Sequence, residues 1–312
     1  MAHNSMVQLR SGVAISQLGL GTAAFGGLYT SVTDADVAAT MRAAFESGIT
    51  YIDTAPHYGK GVAERRVAPL LTGRTFHLST KVGRLLAPCA SDVDPYFLDA
   101  DNKVERIKDY SAAGVERSLK ESLERLQLDS VDFLFIHDPD LPAEADQAIA
   151  EAYPALEKMR NQGLIKGIGI GMNSTATPTR FIRETDIDLV LIAGRYSLLD
   201  RAAAEELLPT ALAKGVDIIA AGVFNSGVFA NPVAGSTFDY DPAPTEIIER
   251  TQRLRALCAE FNTSPTAAAL QFPLRHPAVK AVLVGCRTAA EVIQNCEAFD
   301  SQVPEELWAA LG

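Results

Sequence analysis

Short β-rich runs alternate with helical patterns along the whole sequence, and this alternation restricts the fold more than any other feature. Most of the runs are apolar on both faces, which is typical of a parallel sheet covered on both sides. Eight such units favour an α/β fold closed into a (β/α)8 barrel, or TIM barrel, over an open doubly wound sheet. We expect one domain over residues 1–312. The eight predicted strands are LGLGTAA (18–24), TYIDTA (50–55), FHLSTKV (76–82), VDFLFIH (131–137), IKGIGIG (165–171), DLVLIAG (188–194), VDIIAAG (216–222) and KAVLVG (280–285).

The segments between these runs carry the period of amphipathic helices. One helix should begin after the possible cap Thr33 and end at Gly48, and another should occupy residues 111–128. Two further helical patterns, 152–163 and 202–215, each end in glycine.

Three segments fall outside the repeating unit. Residues 7–16, VQLRSGVAIS, predict a short N-terminal β-hairpin over one end of the barrel. Two long irregular loops are expected at 84–110, after the third strand, and at 223–244, after the seventh. Loops of that length inside a compact domain usually serve function.

Composition and charge argue against several classes of function. The hydrophobic fraction of 47% is enough for a large core, and the formal net charge of −11 argues against nucleic acid and anionic membranes as partners. No apolar run reaches the roughly 18 residues of a transmembrane helix, and the start MAHNSMVQLR lacks the apolar region of a secretory signal. The cysteines show no metal-ligand spacing, so we expect no metal site and a reducing, cytoplasmic location. These cysteines are Cys89, Cys258, Cys286 and Cys296.

GLGTAA (19–24) fits the loose glycine pattern of Rossmann dinucleotide sites. That interpretation requires a helix to open directly after the pattern, but FGGLYTS follows, with two glycines that break a helix. No second half of a doubly wound sheet follows either. We therefore reject a Rossmann fold.

Polar side chains stand at the ends of three consecutive predicted strands. Asp53 and Tyr58 follow the second strand, Lys81 ends the third, and His137 ends the fourth. Because the carboxyl ends of all barrel strands meet on one face, and neighbouring strands lie about 4.8 Å apart, these side chains should meet above the barrel. Taken singly, each has a structural explanation: a loop cap, a strand-end charge or a core histidine. Together on successive strands they favour a catalytic site.

The four residue types suit proton transfer to and from an alcohol. A free phenol has a pKa of about 10, and a nearby lysine ammonium favours the phenolate and lowers that pKa. A buried lysine needs a carboxylate such as Asp53 to stay charged. His137 would hydrogen-bond a substrate oxygen. This arrangement predicts that Tyr58 is a general acid/base for the interconversion of C–OH and C=O.

With these residues in place, the sequence resembles the aldo-keto reductases over nearly its whole length. The resemblance implies a (β/α)8 monomer or small homo-oligomer that binds a nicotinamide cofactor and a small molecule. It implies Tyr58 as proton donor and acceptor, Lys81 and Asp53 as residues that tune it, and His137 as the residue that orients the substrate oxygen. The matching segments are LGLGTAAFGG, YIDTAPHYG, LSTKVG, SLERLQLDSVDFLFIHDPD, GLIKGIGIGMN and VGCRTAAEVIQN.

The resemblance also implies a cofactor site. Its departures from the family pattern are Met172, where a serine is usual, Ala193 in place of glutamine, and Ala221 in place of the tyrosine that stacks on nicotinamide. FNSGVF (224–229) matches the segment over the pyrophosphate, and 284–295 matches the adenosine end. The cofactor residues it implies are Thr22, Ala23, Asp53, Asn173, Phe224, Ser226, Gly227, Gly285, Arg287, Glu291, Gln294 and Asn295.

Glu291 favours NAD over NADP. Many NADP-preferring members have a basic residue at the position of Glu291, and a carboxylate there would repel a 2′-phosphate but accept a bond from a ribose 2′-hydroxyl. Arg287 is the counter-evidence, because it could grip a phosphate.

Within the family, the sequence is most similar to a subgroup of NAD-linked sugar and pyridoxal dehydrogenases. This likeness implies oxidation of the C1 hydroxyl of an aldose such as L-fucose, L-galactose or D-arabinose to the lactone, or the same step on pyridoxal. The segments that carry it are LSTKVGRLL, IHDPD, GIGMN, AGRYSLLD and FNSGVF. A sugar site needs polar partners, and the candidates are Tyr29, His57, His137 and Asp138, with groups in loop 84–110.

Three other functions remain open at this point. An NADPH-dependent aldehyde reductase would need Arg287 to dominate Glu291. A non-catalytic, cofactor-binding interaction subunit is disfavoured by the intact set of four residues. A barrel with metal or phosphate chemistry is disfavoured because no HxH motif or carboxylate cluster stands at the strand ends.

Overall fold

The computed structural model describes residues 2–312. Within them fourteen strands follow one another: β1 Met6–Gln8, β2 Ala14–Ser16, β3 Leu18–Gly21, β4 Tyr51–Asp53, β5 His77–Val82, β6 Arg84–Pro88, β7 Val104–Lys108, β8 Phe133–His137, β9 Gly167–Met172, β10 Leu189–Ala193, β11 Asp217–Ala221, β12 Thr237–Phe238, β13 Asp241–Pro242 and β14 Val279–Gly285. The α-helices of the same residues are α1 Asp34–Glu46, α2 Val62–Val67, α3 Ala112–Leu126, α4 Pro142–Gln147, α5 Tyr153–Asn161, α6 Ala176–Glu184, α7 Leu207–Lys214, α8 Thr245–Glu260, α9 Pro265–Gln271, α10 Ala289–Asp300 and α11 Glu305–Leu311.

Eight of the strands close into one parallel barrel. Around the wall they follow the order β3, β4, β5, β8, β9, β10, β11 and β14, and β14 pairs back onto β3. Each corresponds to one of the eight predicted strands, so the predicted (β/α)8 barrel is confirmed. Its carboxyl ends share one face, which is where polar strand-end residues are brought together.

Large aromatic side chains fill the inside of the barrel, and glycines make room for them. The ring of Phe135 lies against Gly169, where a Cβ atom would come within 2.5 Å of the ring. The predicted N-terminal hairpin is confirmed as β1 and β2. Its loop closes the barrel end opposite the strand-end residues, because Leu9, Val13 and Ile15 are buried in the same apolar cluster as Phe135.

The first helix shows why the sequence pattern predicts these elements well. Thr33 caps α1: its side chain accepts a hydrogen bond from the Asp36 backbone N–H at 3.1 Å, and the Asp36 carboxylate accepts one from the Thr33 N–H at 3.3 Å. After the helix, Gly48 adopts a left-handed φ of 84° that reverses the chain towards β4.

The long segment expected after the third strand is present at 84–110, but it is not irregular throughout. Strands β6 and β7 pair there as an antiparallel ribbon, from Arg84 opposite Lys108 to Pro88 opposite Val104. The two strands are separated by residues 89–103 and pair only with each other, so no tight-turn motif between them marks the ribbon in the sequence. The segment 223–244 likewise contains a short hairpin of β12 and β13, with Asp239 and Tyr240 in left-handed turn positions.

Candidate active site

Lys81 and Asp53 form a buried ion pair at the carboxyl ends of β5 and β4. The Lys81 Nζ atom donates to both carboxylate oxygens of Asp53, at 2.8 and 2.7 Å, and to the Thr54 carbonyl at 2.9 Å. The Ser79 hydroxyl donates to Asp53 Oδ1 at 2.7 Å. Both charged side chains are almost fully buried, and their hydrogen bonds offset the cost of removing them from water.

Tyr58 lies above this pair, on the turn that follows β4. The Lys81 Nζ atom is 4.7 Å from the centroid of the Tyr58 ring, and Phe97 stacks on the same ring at 6.2 Å. A close backbone approach fixes the turn, because a Cβ atom at Gly26 would lie 2.6 Å from the Gly59 nitrogen. Glycine is therefore required at position 26, in the segment AAFGG of the sequence.

The expectation that Lys81 lowers the pKa of Tyr58 is not met. Burial raises the pKa of Tyr58 well above its usual value, and the Asp53 carboxylate raises it further. The physical reason is that burial disfavours the charged phenolate, and that the Asp53 carboxylate paired with Lys81 adds a negative charge close to the phenol. With only the protein residues around it, Tyr58 holds its proton at neutral pH.

His137 ends β8 beside Tyr58, with ring centroids 6.1 Å apart. Burial lowers the pKa of His137 well below its usual range, and the cations Arg84 and Lys81 lower it further, so the ring is neutral. The Nε2 atom faces Asp138 Oδ2 at 3.4 Å, whereas the Nδ1 atom is buried without a hydrogen-bond partner. A buried polar atom without a hydrogen-bond partner lowers the stability of the protein, so its presence calls for an explanation such as a catalytic role.

His57 and Asp138 join this group through Arg84, a residue that the sequence analysis did not single out. The Arg84 guanidinium lies 2.9 Å from Asp138 Oδ2 and 3.4 Å from His57 Nδ1. The His57 ring in turn lies 5.4 Å from the His137 ring, edge to face. The structure therefore brings together His57, Tyr58, Lys81, His137 and Asp138, with Asp53 beneath them.

Asp138 has a strained backbone at the end of its strand. Its φ of 45° lies in the left-handed region, which side chains other than glycine seldom adopt. The Tyr110 hydroxyl hydrogen-bonds to the carbonyls of both His137 and Asp138 at 2.7 Å. Burial raises the pKa of Asp138 to about 6, against the opposing effect of Arg84.

A cavity of about 610 Å³ opens beside Tyr58 and runs over the ends of the barrel strands to the start of α10. Six of the predicted site residues do not line this cavity. Four of them, Lys81, His57, His137 and Asp138, form the neighbouring cluster that begins at Tyr58. The other two are Thr22 and Asn173. A groove of about 680 Å³ between α3 and α5 lies on the outer wall and contains none of the predicted site residues. The predicted residues that line the cavity are Ala23, Tyr29, Asp53, Tyr58, Phe224, Ser226, Gly227, Gly285, Arg287, Glu291, Gln294 and Asn295.

Comparison with known proteins identifies the family of this barrel. The model of the aldo/keto reductase family matches residues 17–312. This chain belongs to the aldo-keto reductases. It is an NAD(P)-dependent oxidoreductase that acts on a small molecule, as members of this family are.

Two curated relatives are similar over nearly their full length. A D-threo-aldose 1-dehydrogenase from Pseudomonas sp is 41% identical, with 96% of this chain and 94% of the relative covered. A pyridoxal 4-dehydrogenase from Microbacterium luteolum is 40% identical, with 97% and 94% covered. The solved holo form of an aldo-keto reductase from Bacillus halodurans superposes with a TM-score of 0.77 at 24% identity, covering 98% of this chain and 95% of that one, and shows the same fold.

The residues of this aldo-keto reductase fit a nicotinamide dinucleotide. The Thr22 hydroxyl, at the end of β3, is buried without a hydrogen-bond partner, and so is the Tyr29 hydroxyl in the cavity wall. Gly21 and Gly285 leave the cavity wall open between β3 and β14. The volume of the cavity, about 610 Å³, its small lining residues and the polar groups without partners together suit a ligand of this size and polarity.

The nicotinamide end departs from the family pattern in the way the sequence indicates. Ala193 and Ala221 line the cavity where glutamine and tyrosine are usual. Asn173 does not line the cavity, and its backbone carbonyl accepts a hydrogen bond from Arg195 Nε at 2.6 Å. Arg195 also pairs with Asp239 at 2.8 Å, so it ties the end of β10 to the β12–β13 hairpin.

That hairpin covers one side of the cavity. The Tyr240 backbone N–H donates to the Ser226 hydroxyl at 3.4 Å, and Thr237 donates to the Ser226 carbonyl at 3.0 Å. The Tyr240 ring lies in the cavity wall, 6.4 Å from the ring of Tyr29. Sequence reasoning missed Tyr240 because its place in the site depends on the hairpin turn.

The far end of the cavity contains Arg287 and Glu291, at the start of α10. The Glu291 carboxylate accepts a hydrogen bond from the Arg287 backbone N–H at 2.6 Å, and its own N–H donates to the helix cap Thr288 at 3.2 Å. The Arg287 guanidinium donates to the Leu28 carbonyl at 3.1 Å. Glu291 is thus held in the cavity wall, and Arg287 is partly engaged with the loop after β3.

Residues 2–312 contain neither a metal-binding cluster nor a membrane-spanning helix. No group of three or more His, Cys, Asp or Glu side chains there is arranged to hold a metal ion. No helix in the same range is long and apolar enough to cross a bilayer.

Proposed function

We propose that this protein is an NAD-dependent dehydrogenase that oxidises the C1 hydroxyl of a cyclic aldose, such as L-fucose, L-galactose or D-arabinose, to the lactone. The observation that carries the proposal is the cluster at the cavity end: Tyr58 over the buried Lys81–Asp53 pair and beside the neutral His137. The D-threo-aldose 1-dehydrogenase relative supports the choice of substrate.

In this mechanism each residue has one task. When bound, NAD would supply the acceptor for the hydride, and the residues that would hold it line the cavity wall, among them Ser226, Arg287 and Glu291. Tyr58, which holds its proton in the structure and must first release it to water, would then accept the proton of the C1 hydroxyl on its phenolate oxygen, and loss of hydride from C1 to the cofactor would complete the change from C–OH to the C=O of the lactone. The neutral His137 orients the C1 oxygen, and Lys81 offers a positive charge against the ring of Tyr58. The proton is then passed to water.

NAD, in preference to NADP, is part of the same proposal. The Glu291 carboxylate is fixed in the cavity wall at the adenosine end, where it can accept a bond from a ribose 2′-hydroxyl and repel a 2′-phosphate. Arg287 already donates to the Leu28 carbonyl, which leaves its guanidinium less free for a phosphate.

Pyridoxal is the second candidate substrate, on a specific observation. Tyr29 and Tyr240 line the cavity with ring centroids 6.4 Å apart, and Tyr96 packs on Tyr240 at 5.9 Å, so this aromatic group suits a flat ring. The pyridoxal 4-dehydrogenase relative supports this alternative.

The proposal extends to the state of the protein. All four cysteines are free, which is consistent with a reducing cytoplasm. We expect residues 1–312 to act as one barrel domain, as a monomer or small homo-oligomer. Size-exclusion chromatography with light scattering measures the oligomeric state directly.

Initial rates of nicotinamide reduction test the proposed activity. NAD and NADP are offered separately with L-fucose, L-galactose, D-arabinose and pyridoxal. Turnover with NAD and one of the sugars is the expected result, and turnover with pyridoxal alone selects the second candidate. No oxidation of any of the four, together with NADPH-dependent reduction of simple aldehydes, would replace the proposal with an aldehyde reductase.

A further inference from the structure

Arg84 touches both sides of the catalytic cluster from the first residue of the β6–β7 ribbon. Its side chain is only 16% exposed, and its two terminal nitrogens approach different partners, Asp138 Oδ2 at 2.9 Å and His57 Nδ1 at 3.4 Å. A guanidinium has five donor hydrogens in a planar fork, so it can hold two acceptors in a fixed geometry.

The contact with Arg84 determines which nitrogen of His57 carries the hydrogen. Because a guanidinium only donates, His57 Nδ1 must be the acceptor, and the neutral ring then carries its hydrogen on Nε2. Burial lowers the pKa of His57 well below its usual range, and Arg84 and Arg106 lower it further, so the ring stays neutral. Within residues 2–312 the Nε2 atom has no hydrogen-bond partner, which leaves one donor free in the cluster.

The position of His57 shows which substrate group this donor can reach. Its ring lies 6.2 Å from the ring of Tyr58 and 5.4 Å from that of His137. Tyr58 and His137 would hold the reacting oxygen in the proposed function, and His57 is adjacent to both rings, so a donor on His57 is within reach of a group on the carbon next to the reacting one. Phe97 packs edge to face against His57 at 5.4 Å and keeps the ring in place.

We infer that Arg84 is a positioning residue for substrate specificity: it holds His57 so that Nε2–H donates to a hydroxyl on the carbon next to the reacting one. The site would then select α-hydroxy substrates, which are aldoses in the oxidative direction and α-hydroxy aldehydes in the reductive direction. The inference rests on the proposed function for the identity of the reacting carbon.

A structural role for Arg84 makes a different prediction. The pair with Asp138 also ties the β6–β7 ribbon to the end of β8, so loss of Arg84 will lower stability in either case. A structural role lowers the rates of all substrates by the same factor. A positioning role lowers kcat/KM for α-hydroxy substrates and leaves substrates without that hydroxyl nearly unchanged.

The measured quantity is the ratio of kcat/KM for a substrate with the α-hydroxyl to kcat/KM for its deoxy partner. One pair is an aldose and its 2-deoxy form, oxidised with NAD; the other is glyceraldehyde and propanal, in reduction. A lost hydrogen bond of this kind is worth about tenfold or more in such a ratio. Arg84→Met is expected to lower the ratio about tenfold, and the exposed Arg117→Met on α3 serves as the matched control that keeps it.

A second variant tests the same inference if Arg84→Met does not fold. His57→Phe removes the donor while it keeps an aromatic ring against Phe97, and it should lower the ratio by the same factor. Because both changes remove one interaction, the double variant should show no further fall in the ratio. A ratio that stays within about twofold of the parent in folded Arg84→Met or in His57→Phe overturns the inference.

The two substrate pairs separate this inference from the proposed function. If no aldose is oxidised but glyceraldehyde is reduced, the proposed function is wrong, and the glyceraldehyde-to-propanal ratio still decides the role of Arg84. If no α-hydroxy substrate turns over in either direction, both the proposed function and the inference are wrong.

Discussion

Lys81 Nζ lies 2.7 Å from Asp53 Oδ2, with both groups almost fully removed from water. An ion pair of this kind contributes little net stability against an apolar pair of the same shape, but breaking it leaves one charge buried alone. The pair is therefore best explained by what it does for Tyr58, whose ring lies 4.7 Å from the same ammonium.

Loss of one partner of the pair should be costly in two ways. Lys81→Met is expected to lower the free energy of unfolding by about 3–5 kcal/mol, because Asp53 is left unpaired. The same change should lower kcat by about 10²–10⁴-fold. Urea denaturation and steady-state rates measure these effects. Adding Asp53→Asn should restore much of the stability and none of the activity; if the double variant regained activity, the pair would have no catalytic role.

The pKa of Asp138, which burial raises to about 6, predicts a pH dependence of stability. A carboxyl whose pKa is raised in the folded state contributes stability below its ordinary value near 3.8, and that contribution is lost as the pH rises through about 6. Asp138→Asn removes the titration, so the parent should lose stability relative to the variant between about pH 4 and pH 7. Urea midpoints at a series of pH values measure this difference. A constant difference across the range would show that Asp138 does not titrate there.

The glycines of β9 predict a contrast between neighbouring positions. Gly169→Ala places a Cβ atom 2.5 Å from the Phe135 ring and should destabilise the barrel by about 1–3 kcal/mol. Gly171→Ala is the matched control on the same strand, where the nearest atom, Lys81 Cε, is 3.6 Å away. Thermal or urea unfolding compares the two, and equal stability of both variants would contradict the packing described for the barrel interior.

Cofactor choice should follow the charge at position 291. Glu291→Lys is expected to raise the ratio of kcat/KM for NADP to that for NAD by about tenfold or more, because a repulsion becomes an attraction. Glu291→Gln is the control that keeps a hydrogen-bonding side chain at the start of α10 and removes only the charge. An unchanged ratio in Glu291→Lys would move the choice of cofactor to Arg287.

The sequence predicted the centre of the site and missed its surroundings, for a physical reason. Asp53, Lys81 and His137 stand at strand ends, and in a closed parallel barrel all strand ends share one face, so their meeting follows from the strand pattern. Arg84 and Tyr240 are placed by two antiparallel hairpins that lie outside the repeating strand–helix unit of the barrel. Such pairing depends on the folded barrel around it and leaves no local period in the sequence.

The pKa of Tyr58 also could not be predicted from the sequence. The residue types alone predict that Lys81 lowers the pKa of the phenol, whereas the structure gives the ammonium to Asp53 and buries the ring, which raises that pKa. A sequence shows which residues are charged, but it does not show the distances between them. Those distances determine which charge has the larger effect on the pKa of the phenol.

Tyr58→Phe tests the central claim most directly, because it removes one hydroxyl and keeps the ring against Lys81 and Phe97. NAD binding is measured by fluorescence titration, and NAD reduction is measured by initial rates with the sugar the parent oxidises best. The account predicts an unchanged dissociation constant for NAD and a fall in kcat of about 10²–10⁴-fold. A variant that binds NAD and keeps kcat within about twofold of the parent would show that Tyr58 does not carry the proton.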